Sequence, residues 1–253
     1  MTREGLRKRP RDPRLASLRD FGVQFRERLF SKCMEGGMTI YPKPYVVPNY
    51  SSVEAALYLR LKLQDVRRWV SEGVVNSPSG GISFLNLLEL HILKGLRREF
   101  GLPLQRIRRA LEEYNQTEYS DHPFLDPRLE TDGIHLFLHD GDEYLNLNRP
   151  RQRGIPQILS TYLQRIDRLS NGEFQFFPFI VGDDAQEPRT IQMSPNIAFG
   201  RPVLARTGIA TDVIAGRFRA RDSIADLAEE YGVPPAMIED AVRWELPQLN
   251  AAA

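Results

Sequence analysis

The chain has 253 residues, 42% of them apolar, with 34 Lys and Arg against 33 Asp and Glu, 18 Gly, 18 Pro and a single Cys. That composition excludes collagen-like and wholly disordered chains. No apolar run approaches the roughly 18 residues of a membrane span, and the Arg-rich start lacks the apolar stretch of a secretory signal, so a cytoplasmic protein is expected. Cys33 alone forms neither an internal disulfide nor a zinc site, and the net charge of +1 averages over an uneven distribution: residues 1–32 carry ten Lys and Arg against four acids.

Residues 1–49 read as a basic, disordered arm, with Met38 a second plausible start and contact with nucleic acid the functional alternative.

Residues 50–114 read as a winged helix-turn-helix. Ser52 is placed to cap a first helix that turns Val53, Ala56 and Leu57 inward, and after Arg60-Leu61-Lys62 a second helix carries Val66, Trp69 and Val70 inward. Its other face presents Gln64, Arg67 and Arg68, residue types that bond base edges and neutralise phosphates. Glu72 to Ile82, two short apolar pieces around Pro78-Ser79-Gly80-Gly81, predicts the hairpin of a wing. Ser83 then caps an amphipathic helix with Leu85, Leu88, Ile92 and Leu96 on its stripe, and Pro103 opens another through Tyr114. From 51 to 114 there are ten basic residues against seven acidic. The candidate DNA contacts are Lys62, Gln64, Arg67, Arg68, Ser79, Arg97 and Arg98, and the plain alternative is a solvated polar face.

Residues 115–190 read as a linker and a small α+β unit. Its parts are a hairpin over Ile134–His139 and Tyr144–Leu147, a helix from Ile155 to Leu169 and a strand from Phe174 to Ile180. Residues 191–253 read as a three-helix, helix-turn-helix-like domain. A helix over Val213–Phe218 leads to one capped by Asp222 or Ser223, which ends at Gly232, and Pro235 opens the third. The expected fold class is α+β, mostly helical.

The search for catalytic chemistry is negative. His135 and His139 alternate on a predicted strand, which sets them about 13 Å apart, too far to share a metal. Gly80-Gly81 lacks the Lys-Ser/Thr of a phosphate loop, and Asp183-Asp184 reads as a solvated turn. No enzyme, cofactor or metal is expected.

Charge separates the two helix-turn-helix patterns. Glu229, Glu230, Glu239 and Asp240 argue against groove entry by the second, although Arg217, Arg219 and Arg221 precede it. Dimerisation or partner binding is expected there, with Met237, Ile238, Trp244, Leu246 and Leu249 as contacts, core completion being the alternative for Trp244.

Ser194-Pro195-Asn196-Ile197-Ala198-Phe199-Gly200-Arg201-Pro202-Val203, Thr207-Gly208-Ile209-Ala210-Thr211 and Ser223 to Val233 closely resemble the domain of unknown function 433. Tyr50 to Tyr114 resembles more loosely the MerR-type winged helix-turn-helix. The middle unit, with Asp132-Gly133 and Phe177-Pro178-Phe179, looks like the spacer of long chains that combine both. Together they resemble VapB-type antitoxins. That resemblance implies a type II antitoxin that sheathes a PIN-like ribonuclease toxin and represses the shared promoter by binding operator DNA as a homodimer. The family segment is commonly taken as DNA-binding, whereas the acids on its last helix here move that role to Gln64, Arg67 and Arg68. The alternatives are a stand-alone dimeric transcription regulator and a structural adaptor with no DNA role.

Overall fold

The structure is a computed structural model that describes residues 41–77, 81–99, 101–117, 120–126, 160–184 and 186–251, the last five as backbone. All belong to one compact unit, residues 40–253, and residues 1–40, most of the expected basic arm, lie outside the described residues.

Short capping signals start the helices. The Ser51 hydroxyl accepts from the Glu54 N–H while the Glu54 carboxylate accepts from the Ser51 N–H, so Ser51, one residue before the expected cap, opens α2 (Ser52–Leu59). A four-residue helix, α1 (Lys43–Val46), and the strand β1 (Pro48–Tyr50) precede it. Arg60 takes a left-handed conformation (φ 52°), and the chain turns directly into α3 (Leu63–Ser71). Helix, tight turn and helix form as expected.

The wing hairpin does not form as expected. The Val74 and Val75 amides both donate to the Trp69 carbonyl, at 3.0 and 3.3 Å, which closes the end of α3 instead of extending a strand. Ile82-Ser83 (β2) pairs antiparallel with β1. Residues 78–80 lie outside the described residues.

Ser83 caps α4 (Phe84–Arg98) through Asn86, as its position predicted. Instead of an apolar stripe with a wet back, α4 is buried on every side from Phe84 to Leu96. The side chain missing at Gly95 makes room for this, since a Cβ there would lie 2.7 Å from the Tyr162 ring. Helix α5 (Leu104–Thr117) follows, its Arg106 and Ile107 amides bonded to the Pro103 carbonyl, and then a turn of 3₁₀ helix at Pro123–Leu125.

The helix expected from Ile155 to Leu169 ends early. Ile166–Arg168 is a strand, β3, paired antiparallel with β4 (Phe174–Phe176), and residues 155–159 and the hairpin expected at 134–147 lie outside the described residues. Beyond them β5 (Ile191–Gln192) pairs with β6 (Val203–Leu204), and α6 (Thr211–Arg219), α7 (Ile224–Tyr231) and α8 (Pro235–Ala251) follow. Ser223 caps α7 by accepting from the Asp226 N–H.

Helices predominate and the sheets are small and antiparallel, a mixed α/β structure. Among the described residues two large apolar cores hold it, beside a small cluster of Tyr162 and Phe179. The first joins Tyr45, Val66, Trp69 and most of α4 to Phe174, Phe176 and Met193; the second gathers Ile180, Ile191, Leu204, Ile214, Leu227, Ile238, Ala241 and Trp244. Tyr58 packs against both.

Candidate nucleic-acid and partner interfaces

Val66 and Trp69 are buried and hold α3 to the core, which turns Lys62, Gln64, Arg67 and Arg68 to solvent at its start and along one face. The side chains of Lys62, Gln64 and Arg67 make no hydrogen bond or ion pair with another described residue. The Arg68 Nε donates to the Glu72 carboxylate at 2.7 Å, which raises the Arg68 pKa further and ties its guanidinium down. Arg98 is exposed at the end of α4. Arg97 is not part of this face: its guanidinium turns inward and donates to the Leu102 carbonyl. Ser79 lies outside the described residues.

Helix α4 carries buried charges that hydrophobic periodicity does not reveal. Glu89 is wholly buried and lies 3.0 Å from the His122 Nδ1; burial raises its pKa and the His122 bond opposes the rise. His91 meets Tyr162, Phe176 and Phe179 in tilted and edge-on ring contacts, and burial holds its pKa well below the ordinary value, so the neutral ring donates from Nε2 to the Tyr162 carbonyl at 3.1 Å. Lys94, also buried, meets the half-buried Asp183 at 2.5 Å, so Asp183 belongs to an ion pair and is not left to solvent as expected. Glu187 accepts from the successive amides of Ile180, Val181 and Gly182, and Arg165 donates to the carbonyls of Asp184, Glu187 and Pro188. These groups are taken up by one another or by the backbone, a structural role.

At the other end the expectations divide. Trp244 is 1% exposed and Ile238 fully buried, so both complete the second core and neither offers a surface to a partner. Leu246 is 50% exposed, Met237 is half-buried, and the Leu249 side chain lies outside the described residues. Asp240 points inward, accepting from the Thr190 hydroxyl at 2.7 Å, while Glu239 faces solvent. The acidic surface expected on α8 is therefore smaller than its sequence suggests. Arg217 is consumed internally, donating to Asp222 at 2.7 Å, to both Glu230 oxygens at 2.5 and 2.7 Å and to the Tyr231 hydroxyl at 3.2 Å. Arg219 and Arg221 remain exposed.

One residue stands out that sequence reasoning did not single out. Ala198, Phe199 and Gly200 are successive left-handed residues, with φ of 47°, 55° and 83°. The Asn49 amide donates to the Phe199 carbonyl at 2.5 Å and the Tyr50 hydroxyl to the Gly200 carbonyl at 2.8 Å, while the Phe199 ring is 84% exposed.

Residues 191–244 match the family described as "Protein of unknown function (DUF433)". Over 229 residues, 78% of this chain and 93% of the relative, the chain is 23% identical to the protein named "Putative antitoxin VapB45" of Mycobacterium tuberculosis. The crystal structure of Rv2018 from Mycobacterium tuberculosis superposes with a TM-score of 0.62 at 24% identity, covering 78% of this chain and 98% of that one, a likeness of fold. Among the described residues no helix is long and apolar enough to cross a membrane. The family match is confined to the C-terminal segment, and the likeness to the named relative extends over most of the chain.

Proposed function

We propose that the chain is the antitoxin of a type II toxin–antitoxin pair, a non-catalytic cytoplasmic protein that binds a PIN-like ribonuclease and, as a homodimer, the operator of its own operon. The observation that carries the DNA half is the face of α3. Lys62, Gln64 and Arg67 stand together, exposed and uncommitted to other described residues, on a helix held by Val66 and Trp69. In a helix-turn-helix the start of the second helix meets base edges, where Gln64 reads adenine and Arg67 guanine, while Lys62 and Arg68 meet phosphate. A two-fold dimer sets two such helices about 34 Å apart, one turn of duplex.

The toxin half rests on the likeness to a relative named as an antitoxin. Co-expression with the neighbouring gene, followed by co-purification and a growth assay, tests it. The expected outcome is a stable complex and rescue of growth. Operator binding without any such complex would leave the stand-alone regulator, and failure of both would remove the reading altogether.

A further inference from the structure

Arg60 ends α2 at the position just past the last turn, where glycine is the usual residue. The Arg60 and Leu61 amides donate to the Leu57 and Ala56 carbonyls, at 3.2 and 2.8 Å, and Arg60 closes the helix in left-handed backbone at φ 52°. A side chain is costly there, and glycine would avoid the cost. The half-buried guanidinium adds a second cost, because its Nε is enclosed without a partner among the described residues. Burial lowers its pKa, against the charges of Glu187 and Asp183.

What offsets both costs comes from the second half of the chain. The Arg60 Nη2 donates to the Ile180 carbonyl, and the guanidinium carbon lies 5.8 Å from the centre of the Trp244 indole. The acceptor is itself fixed. Glu187 accepts from the amides of Ile180, Val181 and Gly182, Lys94 of α4 holds Asp183, and Arg165 donates to the carbonyls of Asp184, Glu187 and Pro188. On the other side, only the buried Leu61 and Lys62 separate Arg60 from α3, and the Lys62 carbonyl accepts from the Asp65 and Val66 amides to start that helix. A rotation at Arg60 is therefore carried into the first turns of α3, where Gln64 and Arg67 stand.

We infer that Arg60 is a positioning residue for α3: by joining the turn before that helix to the Ile180 carbonyl and the Trp244 indole, it sets the angle at which Gln64 and Arg67 meet base edges. The inference rests on the reading of α3 as the helix that meets DNA. Hydrogen bonds to base edges tolerate a misplacement of only about 0.5 Å, whereas attraction to phosphate changes little over such a distance. Arg60 thus governs the choice of sequence and not the general affinity for duplex.

Arg60→Gly tests it in the full chain, with two probes: the operator duplex in front of the chain's own gene and a random duplex of equal length. Glycine accepts the left-handed turn and removes only the tie. Affinity for the operator is expected to fall about tenfold, while affinity for the random duplex and the salt slope on both stay as they were. Arg60→Lys, whose ammonium can also donate to Ile180, recovers part of the operator affinity. Glu187→Gln, which loosens the acceptor, adds little to Arg60→Gly in a double-mutant cycle. Arg60→Asn, which tolerates left-handed backbone and is too short to reach Ile180, repeats the measurement should the glycine variant fail to fold. An unchanged ratio between the two duplexes overturns the inference, equal losses on both with a lowered unfolding midpoint meaning a structural role alone. A salt slope lower by about one unit also overturns it, since Arg60 would then meet phosphate itself. In each of these cases Arg67→Ala still weakens operator binding and the reading of α3 stands. A wild-type chain that shows no preference for the operator defeats that reading and this inference together.

Discussion

The ring of Tyr58, on α2, stacks on the indole of Trp244, on α8, with centroids 6.3 Å apart and planes inclined by 23°. Arg60, the left-handed residue between α2 and α3, lies 5.8 Å from the same indole and donates to the Ile180 carbonyl. The turn that aims α3 therefore leans on the last helix and on the loop at Ile180. The Tyr58 and Arg60 contacts make the pose of α3, the helix proposed to meet DNA, depend on packing well over a hundred residues away in the chain.

Trp244→Ala is accordingly expected to cost about 3–5 kcal/mol, as for other fully buried large side chains, and Trp244→Phe much less. Urea unfolding measures the loss. Operator affinity should fall in parallel, because the support behind Tyr58 and Arg60 goes with the indole. Normal stability in the alanine variant would show that the indole is not part of the core.

Within the α3 face, Arg67→Ala should weaken operator binding by about 1–3 kcal/mol, and Arg68→Ala by less, since Glu72 already holds Arg68. Each phosphate contact removed should lower the salt dependence by about one unit of slope. Arg97→Ala, by contrast, should leave operator binding alone and lower the unfolding midpoint, having lost its bond to Leu102. Titrations of the three variants at several salt concentrations would separate these roles, and a larger effect at Arg97 than at Arg67 would refute the assignment.

Gly200 has a φ of 83°, and a Cβ there would overlap the Tyr50 hydroxyl. Gly200→Ala should therefore destabilise by about 1–3 kcal/mol through backbone strain and overlap combined. Combining it with Tyr50→Phe removes the clashing oxygen and should recover part of the loss. A double-mutant cycle with no coupling between the two positions would contradict the contact.

His91 sets a pH dependence whose direction follows from its surroundings. Burial lowers its pKa in the fold, and Lys94 and Arg165 lower it further against the Tyr162 bond, whereas the unfolded chain titrates near about 6.5. Protons thus bind the unfolded state first on acidification. The stability from a neutral His91 is full above about pH 6.5 and is lost progressively as pH falls below it. Midpoints of urea unfolding at pH 5, 6, 7 and 8 should show this loss in the wild type and a smaller one in His91→Phe.

Local signals were legible in the amino-acid order. The caps at Ser83 and Ser223, the turn at Arg60-Leu61-Lys62 and the stop at Gly232 each depend on residues within a few positions, and each forms where those residues stand. Pairing across the chain was not legible. Ile82 finds Tyr50 in place of Val74 or Val75, and Ile166 to Arg168 leave a helical pattern because Phe174 to Phe176 offer a partner strand. Periodicity likewise located one apolar face of α4 but missed that Tyr162, Phe176 and Phe179 close around His91 on another.

The same limit governed the interfaces. Exposure of Gln64 and Arg67 followed from helical spacing. Trp244 and Ile238 are apolar residues that fit a core or an interface equally well in sequence, and only the second core decides between them. Phe199 carries no signal at all, since a left-handed φ at a non-glycine residue leaves no mark on composition or period.

The chain crosses from one core to the other within a few residues: Phe176 lies in the first and Ile180 in the second, Ile191 in the second and Met193 in the first. The segment is a weave, with each half supplying material to its neighbour. A fusion or truncation cut between residues 126 and 191 would leave both pieces with an open apolar surface, prone to aggregate or to be degraded. The C-terminal family segment is thus not a transplantable cassette in this protein, and changes in it over evolution have to be tolerated by the N-terminal half as well.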